Sequence, residues 1–459
     1  MGTIKRYQMS SIRNSTRVWP LHVLAVTLCL CATTGCGSPE AYFRANLTEL
    51  RLRESKDEPV SPELRSEISN VLLGLFGDPD APDIFDGQKV ADEAQAPLEA
   101  FGFDIQKLQL AAGPAFSDDT GKQHGLYRLH CSHCHGLTGD GNGPTAPFLN
   151  PYPRDYRQGK YKFKSTFGDA KPTHDDLKRI LKDGIPGTAM PSFVLLPDNE
   201  IEALVEYIKY LSVRGETEIR LIEYVADEGE MPAGGIAEIA GGVPLERDDD
   251  GVPTEEPEYE NIVASIVYKW DFAPTKVVQP VVPEVPINSQ SAGDNSPALA
   301  ESIERGRKLF FSAETKCASC HGDGALGDGE TTNFDDWSKA VFQPDANMKI
   351  DADHAADMLA LGALPVRNIR PRNLRQGIYR GGRRPIDIYR RIFSGINGTP
   401  MPAQGSEAGI AGDEVADDEA GGSVRRQQIW DMVNYVLSLP YEPLSQPPRP
   451  VEGYETTLR

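Results

Sequence analysis

Two separated stretches of the chain repeat one helical spacing of apolar residues. Ile201, Leu204, Val205, Ile208 and Leu211 fall on one helical face, and Ile429, Val433, Val436 and Leu437 form an equivalent stripe. Asp198, Glu200 and Glu202 occupy the first turn of the earlier helix, where carboxylates meet the positive end of the helix dipole. Pro440 stops the later one. Pro62–Phe76 predicts a further amphipathic helix in an acidic, turn-rich setting. Shorter helices are expected around Gly125-Leu126-Tyr127, over 305–310 and within 255–270, and the Pro/Val stretch 277–286 reads as extended.

These elements belong to two copies of one pattern. The first holds Cys131-Ser132-His133-Cys134-His135-Gly136, Gly139-Asp140-Gly141, Pro153-Arg154-Asp155-Tyr156-Arg157-Gln158-Gly159-Lys160-Tyr161 and Gly184-Ile185-Pro186-Gly187-Thr188-Ala189-Met190-Pro191. The second holds Cys317-Ala318-Ser319-Cys320-His321-Gly322, Gly327-Asp328-Gly329, Pro371-Arg372-Asn373-Leu374-Arg375-Gln376-Gly377-Ile378-Tyr379 and Gly395-Ile396-Asn397-Gly398-Thr399-Pro400-Met401-Pro402. The offset between copies changes from 186 to 218 to 211 residues, so the second copy carries an insertion within roughly 330–365. Between Met401 and the last helix lies an acidic Gly/Ala-rich stretch, 405–422, which reads as a surface loop.

Cys-x-x-Cys-His is the spacing that attaches a c-type haem: two thiols form thioethers to one porphyrin, and the next residue, His, reaches its iron. Zinc would require a second ligand pair nearby, and the two pairs stand 186 residues apart. A redox dithiol has no use for the adjacent His. The motifs therefore predict two covalently bound haem c groups, with Cys131, Cys134, Cys317 and Cys320 as attachment points and His135 and His321 as proximal ligands.

Each copy resembles a class I cytochrome c domain, on its Cys-x-x-Cys-His-Gly, its Gly-x-x-Met-Pro and a terminal helix bearing Tyr207 or Tyr435. The resemblance covers about 116–215 and 301–442, roughly half the chain, and the whole resembles a dihaem cytochrome c. It implies an all-α fold: two haem domains joined by an acidic, Pro/Gly-containing linker, 216–300, and flanked by an N-terminal extension, 36–115, and a tail, 443–459. In each domain the haem supplies much of the apolar core.

Met190 and Met401 are the expected distal ligands. Both sit at matching places in polar, glycine-rich loops, where a Met has no core to fill. His174 could compete with Met190, and His354, Met348 or Met358 in the insertion could compete with Met401. Arg154 and Arg372 follow Pro at equivalent positions, where a buried guanidinium could pair with a haem propionate.

Lys5, Arg6, Arg13 and Arg17 precede a short apolar stretch, 18–32, too short to span a membrane comfortably. Ala32-Thr33-Thr34-Gly35-Cys36 follows, and resembles a bacterial lipoprotein signal with Cys36 as the acylated residue; Thr33 stands where Leu is usual. Residues 1–35 are thus expected to be removed and the product held, lipid-anchored, on the periplasmic side of a bacterial membrane. Of seven Cys, two leave with the signal, one carries lipid and four attach haem, leaving none for a disulfide. The formal net charge is −21, and −25 once residues 1–35 and their four positive charges are removed. That disfavours nucleic acid and suits steering toward a basic docking surface.

If His and Met cap both irons, no coordination position is open to substrate. The expected function is then electron transfer between a membrane respiratory complex and a terminal oxidase or reductase. The alternative is a haem enzyme, such as a dihaem peroxidase or a sulfur-compound dehydrogenase, with one open iron.

Overall fold

The computed structural model describes residues 41–82, 102–241, 248–249, 254–258, 260–287, 296–330, 334–343, 351–412, 421–422 and 424–441. The signal segment 1–35, Cys36, Met348 and the tail 443–459 lie outside the described residues. Among those described the chain is helical, with one two-residue hairpin as its sheet.

The N-terminal extension opens with α1 (Leu47–Glu54) and α2 (Pro62–Phe76). The second starts where its sequence directs: Ser61 accepts from the Leu64 amide, Pro62 sits in the first turn, and Gly77 ends the helix at positive φ. Its apolar face, Ile68, Val71, Leu72, Leu75 and Phe76, is buried in the first core. Next come α3 (Ile105–Ala111), the hairpin β1 (Phe116–Ser117) and β2 (Gln123–His124), α4 (Leu126–His130) and α5 (Ser132–His135), which carries the first haem motif. A Thr173–Asp176 capping box begins α6 (His174–Asp183).

The helix expected over 201–211 is α7 (Asp198–Glu228), 31 residues long. Its apolar stripe continues as Val213, Leu221, Ile222 and Val225, all buried. Gly215 permits the continuation, because a Cβ there would lie 2.3 Å from Arg157 Cα. Within the buried stretch Arg214 pairs with Glu218, which also accepts from the Asn46 amide at 2.7 Å. The extension is therefore fixed to the first half. Tyr210 donates to the Phe76 carbonyl at 2.7 Å, and Tyr207 donates to Pro79 at 3.0 Å.

The described parts of segment 216–300 are likewise built into the body. After α8 (Gly235–Ala240), α9 (Ile262–Asp271) lays Ile262, Val263, Ile266 and Val267 into the first core. The extended strand that follows inserts Val278 and Val281 into the second core. The Val278 amide donates to Ser165 of the first half at 3.0 Å. Trp430 of the second half donates to the Val281 carbonyl at 2.7 Å.

The second half runs α10 (Pro297–Phe310), α11 (Cys317–His321), α12 (Asp336–Phe342), α13 (Ala352–Ala360), α14 (Pro385–Ser394) and α15 (Arg426–Ser438). Gly306 lets α10 cross α15 backbone to backbone: a Cβ would sit 2.0 Å from the Asp431 carbonyl oxygen. Asp431 then accepts from Ser302 at 2.6 Å and from both Nε and Nη2 of Arg305. The insertion, α12 and α13, packs on the other half of the molecule. Phe342 and Met358 share a small core with Leu52 of α1, and Arg367 donates to the Leu149 and Pro147 carbonyls at 2.6 and 2.9 Å.

Repeat-related residues meet at the interface between the halves. Phe163 and Gly381 hold equivalent places 218 apart, and a Cβ on Gly381 would lie 2.5 Å from the Phe163 ring. Arg179 approaches Asp387 at 3.9 Å, while its counterpart Arg390 lies in the field of Asp176, the counterpart of Asp387. Such reciprocal pairing is what an approximate two-fold relation between the copies produces.

Candidate haem sites

Cys131, Cys134 and His135 come together on the short α5, with Cys131 buried and His135 8% exposed. The imidazole is oriented from behind: Nδ1 of His135 lies 3.0 Å from the Arg154 carbonyl. The second half repeats this, with Nδ1 of His321 3.2 Å from the Arg372 carbonyl. A donated Nδ1–H leaves Nε2 unprotonated, as a metal ligand must be. Burial lowers the His135 pKa to about 4, so that ring is neutral at neutral pH, and burial lowers the His321 pKa as well. Burial also pushes the Cys131 thiol up to about 12 and raises Cys317, and none of the four Cys is in a disulfide.

The loop that brings each Arg carbonyl to its His is held by glycine at positive φ. Gly141 (φ 72) donates its amide to the His135 carbonyl, and Gly327 (φ 75) donates to His321. A Cβ on Gly141 would lie 2.9 Å from the Pro153 oxygen; on Gly327 it would lie 2.3 Å from the Pro371 oxygen. The match of Gly139-Asp140-Gly141 to Gly327-Asp328-Gly329 is therefore out of step by two residues. Gly141 corresponds to Gly327 and Gly139 to Ala325, which adopts φ 54 without being glycine. The offset of 186 persists through this turn, and the insertion begins after it.

Met190 and Met401 end two closely similar straps. The Ile185 amide donates to the Met190 carbonyl at 3.1 Å, Thr188 Oγ1 donates to Ile185 at 2.8 Å, and the Met190 amide donates back to Thr188 Oγ1 at 3.1 Å. Ile396, Thr399 and Met401 repeat these bonds at 3.2, 2.7 and 3.3 Å. Both Met are partly buried against the core of their own half. Three of the four competing ligands, His174, His354 and Met358, are engaged in other contacts. His174 Nε2 pairs with Glu202 at 2.6 Å on the surface, His354 Nε2 meets the Val341 carbonyl at 2.9 Å, and Met358 is buried in the third core.

A cavity of about 1480 Å³ opens beside α5, lined by Cys131, Cys134, His135 and Met190, with Leu177, Leu181 and Phe193 among its apolar wall. Arg154, Lys162, Arg372 and Arg380 line it too, and so do Asn397 and Gly398 of the second Met strap. The Nε atoms of Arg372 and Arg380 are buried without a hydrogen-bond partner. This donor set fits a haem: two thiols for its vinyl groups, a neutral imidazole and a thioether for its iron, an apolar wall for its ring, and guanidinium groups for its propionates.

Two features had no clear signal in sequence. Tyr156 stacks on the His135 ring, 4.6 Å between centroids at 13°, whereas Leu374 occupies its place in the second half. Arg372 also reaches the first half, its Nη2 3.0 Å from where a Cβ of Gly187 would stand. Among the described residues no helix is long and apolar enough to cross a membrane.

Residues 118–208 match the family described as cytochrome c oxidase, cbb3-type, subunit III, and residues 303–440 match the cytochrome c family. No curated protein matches the chain. The reducing HAO-like protein complex Kustc0457/Kustc0458 of Kuenenia stuttgartiensis is similar at 22% identity over 71% of this chain and 97% of that one, with a TM-score of 0.38, too low to carry an argument. Two cytochrome c domains, each with its own Cys-x-x-Cys-His attachment site for a covalent haem, make this chain a dihaem cytochrome c, an electron-transfer protein.

Proposed function

We propose that the protein relays electrons between a membrane respiratory complex and a terminal oxidase or reductase, with His/Met ligation at both irons. Bound haem supplies the one-electron chemistry. The residues supply three things: attachment through Cys131, Cys134, Cys317 and Cys320; proximal His135 and His321; and distal Met190 and Met401. The observation that carries this reading is the near-identity of the hydrogen bonds in the two Met straps, which hold Met190 and Met401 in equivalent loops of the two halves. A thioether opposite imidazole raises the potential relative to two imidazoles and leaves no position for substrate.

The cavity of the first haem is bounded by Asn397 and Gly398 of the second Met strap. This supports transfer between the two haems within the chain. Arg372 and Arg380, with unpartnered buried Nε atoms, are the proposed propionate contacts, and Arg154 joins them in the lining. Export, the Cys36 anchor and a basic docking partner remain part of the proposal, on the N-terminal sequence and the net charge of −21. Carbon monoxide added to the reduced, exported protein at neutral pH tests it. The relay requires that neither haem bind it; binding at one haem would favour the peroxidase or dehydrogenase alternative.

A further inference from the structure

Four cations meet around the first haem cavity in repeat-related pairs, Arg154 with Arg372 and Lys162 with Arg380. Asp335 lines the same cavity and breaks the symmetry. It precedes α12, in the segment that only the second copy inserts, and that segment lies across the first half. Lys162 Nζ donates to the Asp335 carboxylate, with side-chain exposures of 20% and 18%. The Asp335 charge also falls on Arg154, whose backbone carbonyl orients His135. Arg372 and Arg380, by contrast, act on one another as like charges.

We propose that Asp335 sets the difference between the two haem potentials, holding the first haem's potential down relative to the second's. The inference rests on the two-haem reading above. Oxidising a haem iron adds one positive charge to its site. A carboxylate held in a partly water-excluded place favours that state, and the attraction is stronger there than in bulk water. Asp335 also neutralises Lys162, a cation that would otherwise favour the reduced iron. The first copy carries no corresponding insertion to reach the second haem site, so the effect falls on one haem. Asp335 is a positioning charge, and it touches no reacting atom.

Redox titration of Asp335→Asn in the full exported protein tests this. The two components are assigned in a Met190→His background, where imidazole lowers the first haem alone. The expected result is a rise in the first component of about tenfold in its equilibrium constant, about 59 mV for one electron, with less than half that at the second. Asp335→Glu should restore the original value. Asp357→Asn, which removes the Arg51 contact at 2.6 Å and loosens the same insertion, should not reproduce the shift. A first-haem change under twofold, or equal changes at both, would overturn the proposal. Haem content, measured on the same samples by pyridine haemochrome, separates the failures: fewer than two haems per chain would defeat the two-haem reading itself.

Discussion

Gly141→Ala should damage the first haem site far more than glycine's backbone preference alone accounts for. Gly141 adopts φ 72, so any L-residue there costs roughly 1–2 kcal/mol. The added Cβ would also lie 2.9 Å from the Pro153 oxygen, 3.0 Å from the Asp155 amide nitrogen and 3.2 Å from the Arg154 carbonyl carbon. All three are backbone atoms, which cannot swing aside as a side chain can. Relaxing to ordinary contact moves the 153–155 segment by about half an ångström, at an overpacking cost of roughly 1–3 kcal/mol. The His135 to Arg154 bond, 3.0 Å at rest, lengthens toward the limit of a hydrogen bond. The total is about 2–5 kcal/mol of stability, together with a less basic proximal ligand. Gly121→Ala is the control: φ is 84, yet nothing lies within 4 Å of its Cβ, so it should show the backbone cost alone. Guanidinium melts of both variants, followed at the haem absorption band, give the difference, and redox titration gives the ligand effect. If Gly141→Ala matched Gly121→Ala in midpoint and left both potentials unmoved, the loop would not be holding His135 in the way described.

Further consequences can be measured on the same preparation. Gly306→Ala should destabilise the second half, an overpacking cost of about 1–3 kcal/mol outweighing a helix-propensity gain of about 1 kcal/mol, because its Cβ would sit 2.0 Å from the Asp431 oxygen; thermal melts would show it. Gly381→Ala should be destabilising alone and partly rescued by Phe163→Ala, giving a non-additive double-mutant cycle across the interface. Burial lowers the Lys164 pKa to about 8 from its ordinary value of 10.5. Between those pH values the unfolded chain binds the extra proton, so Lys164 adds stability as pH rises from 8 to 10.5 and carries its full burial penalty below 8. Lys164→Met should flatten that part of the stability profile.

Much of the site can be read from the sequence because its chemistry is local. Cysteine spacing within five residues places both thiols and the imidazole, and each Met lies in a short strap closed by its own Thr. The start of α2, at Ser61 and Pro62, follows from a local cap, and Pro440 falls in the 3-10 turn, Leu439–Tyr441, that follows the end of α15 at Ser438. What the sequence conceals depends on contacts across long separations. The apolar stripe at 201–211 gives no reason to stop at a boundary, and α7 continues because Gly215 and a buried Arg214–Glu218 pair suit the packing. The first-half helix that packs on α7, Ile105–Ala111, lies within the stretch read as extension, because the hairpin separates it from the haem motif. Ala325 disguises the repeat, since it adopts a conformation that points to glycine. The reach of the insertion onto Leu52 and Lys162 has no periodic signature at all.

The central claim is that each half holds one covalent haem between His and Met. Near-infrared magnetic circular dichroism of the fully oxidised protein, calibrated against haem content, addresses it most directly. Methionine–iron charge-transfer intensity corresponding to two haems per chain is the predicted result. Intensity for one haem or none would contradict it.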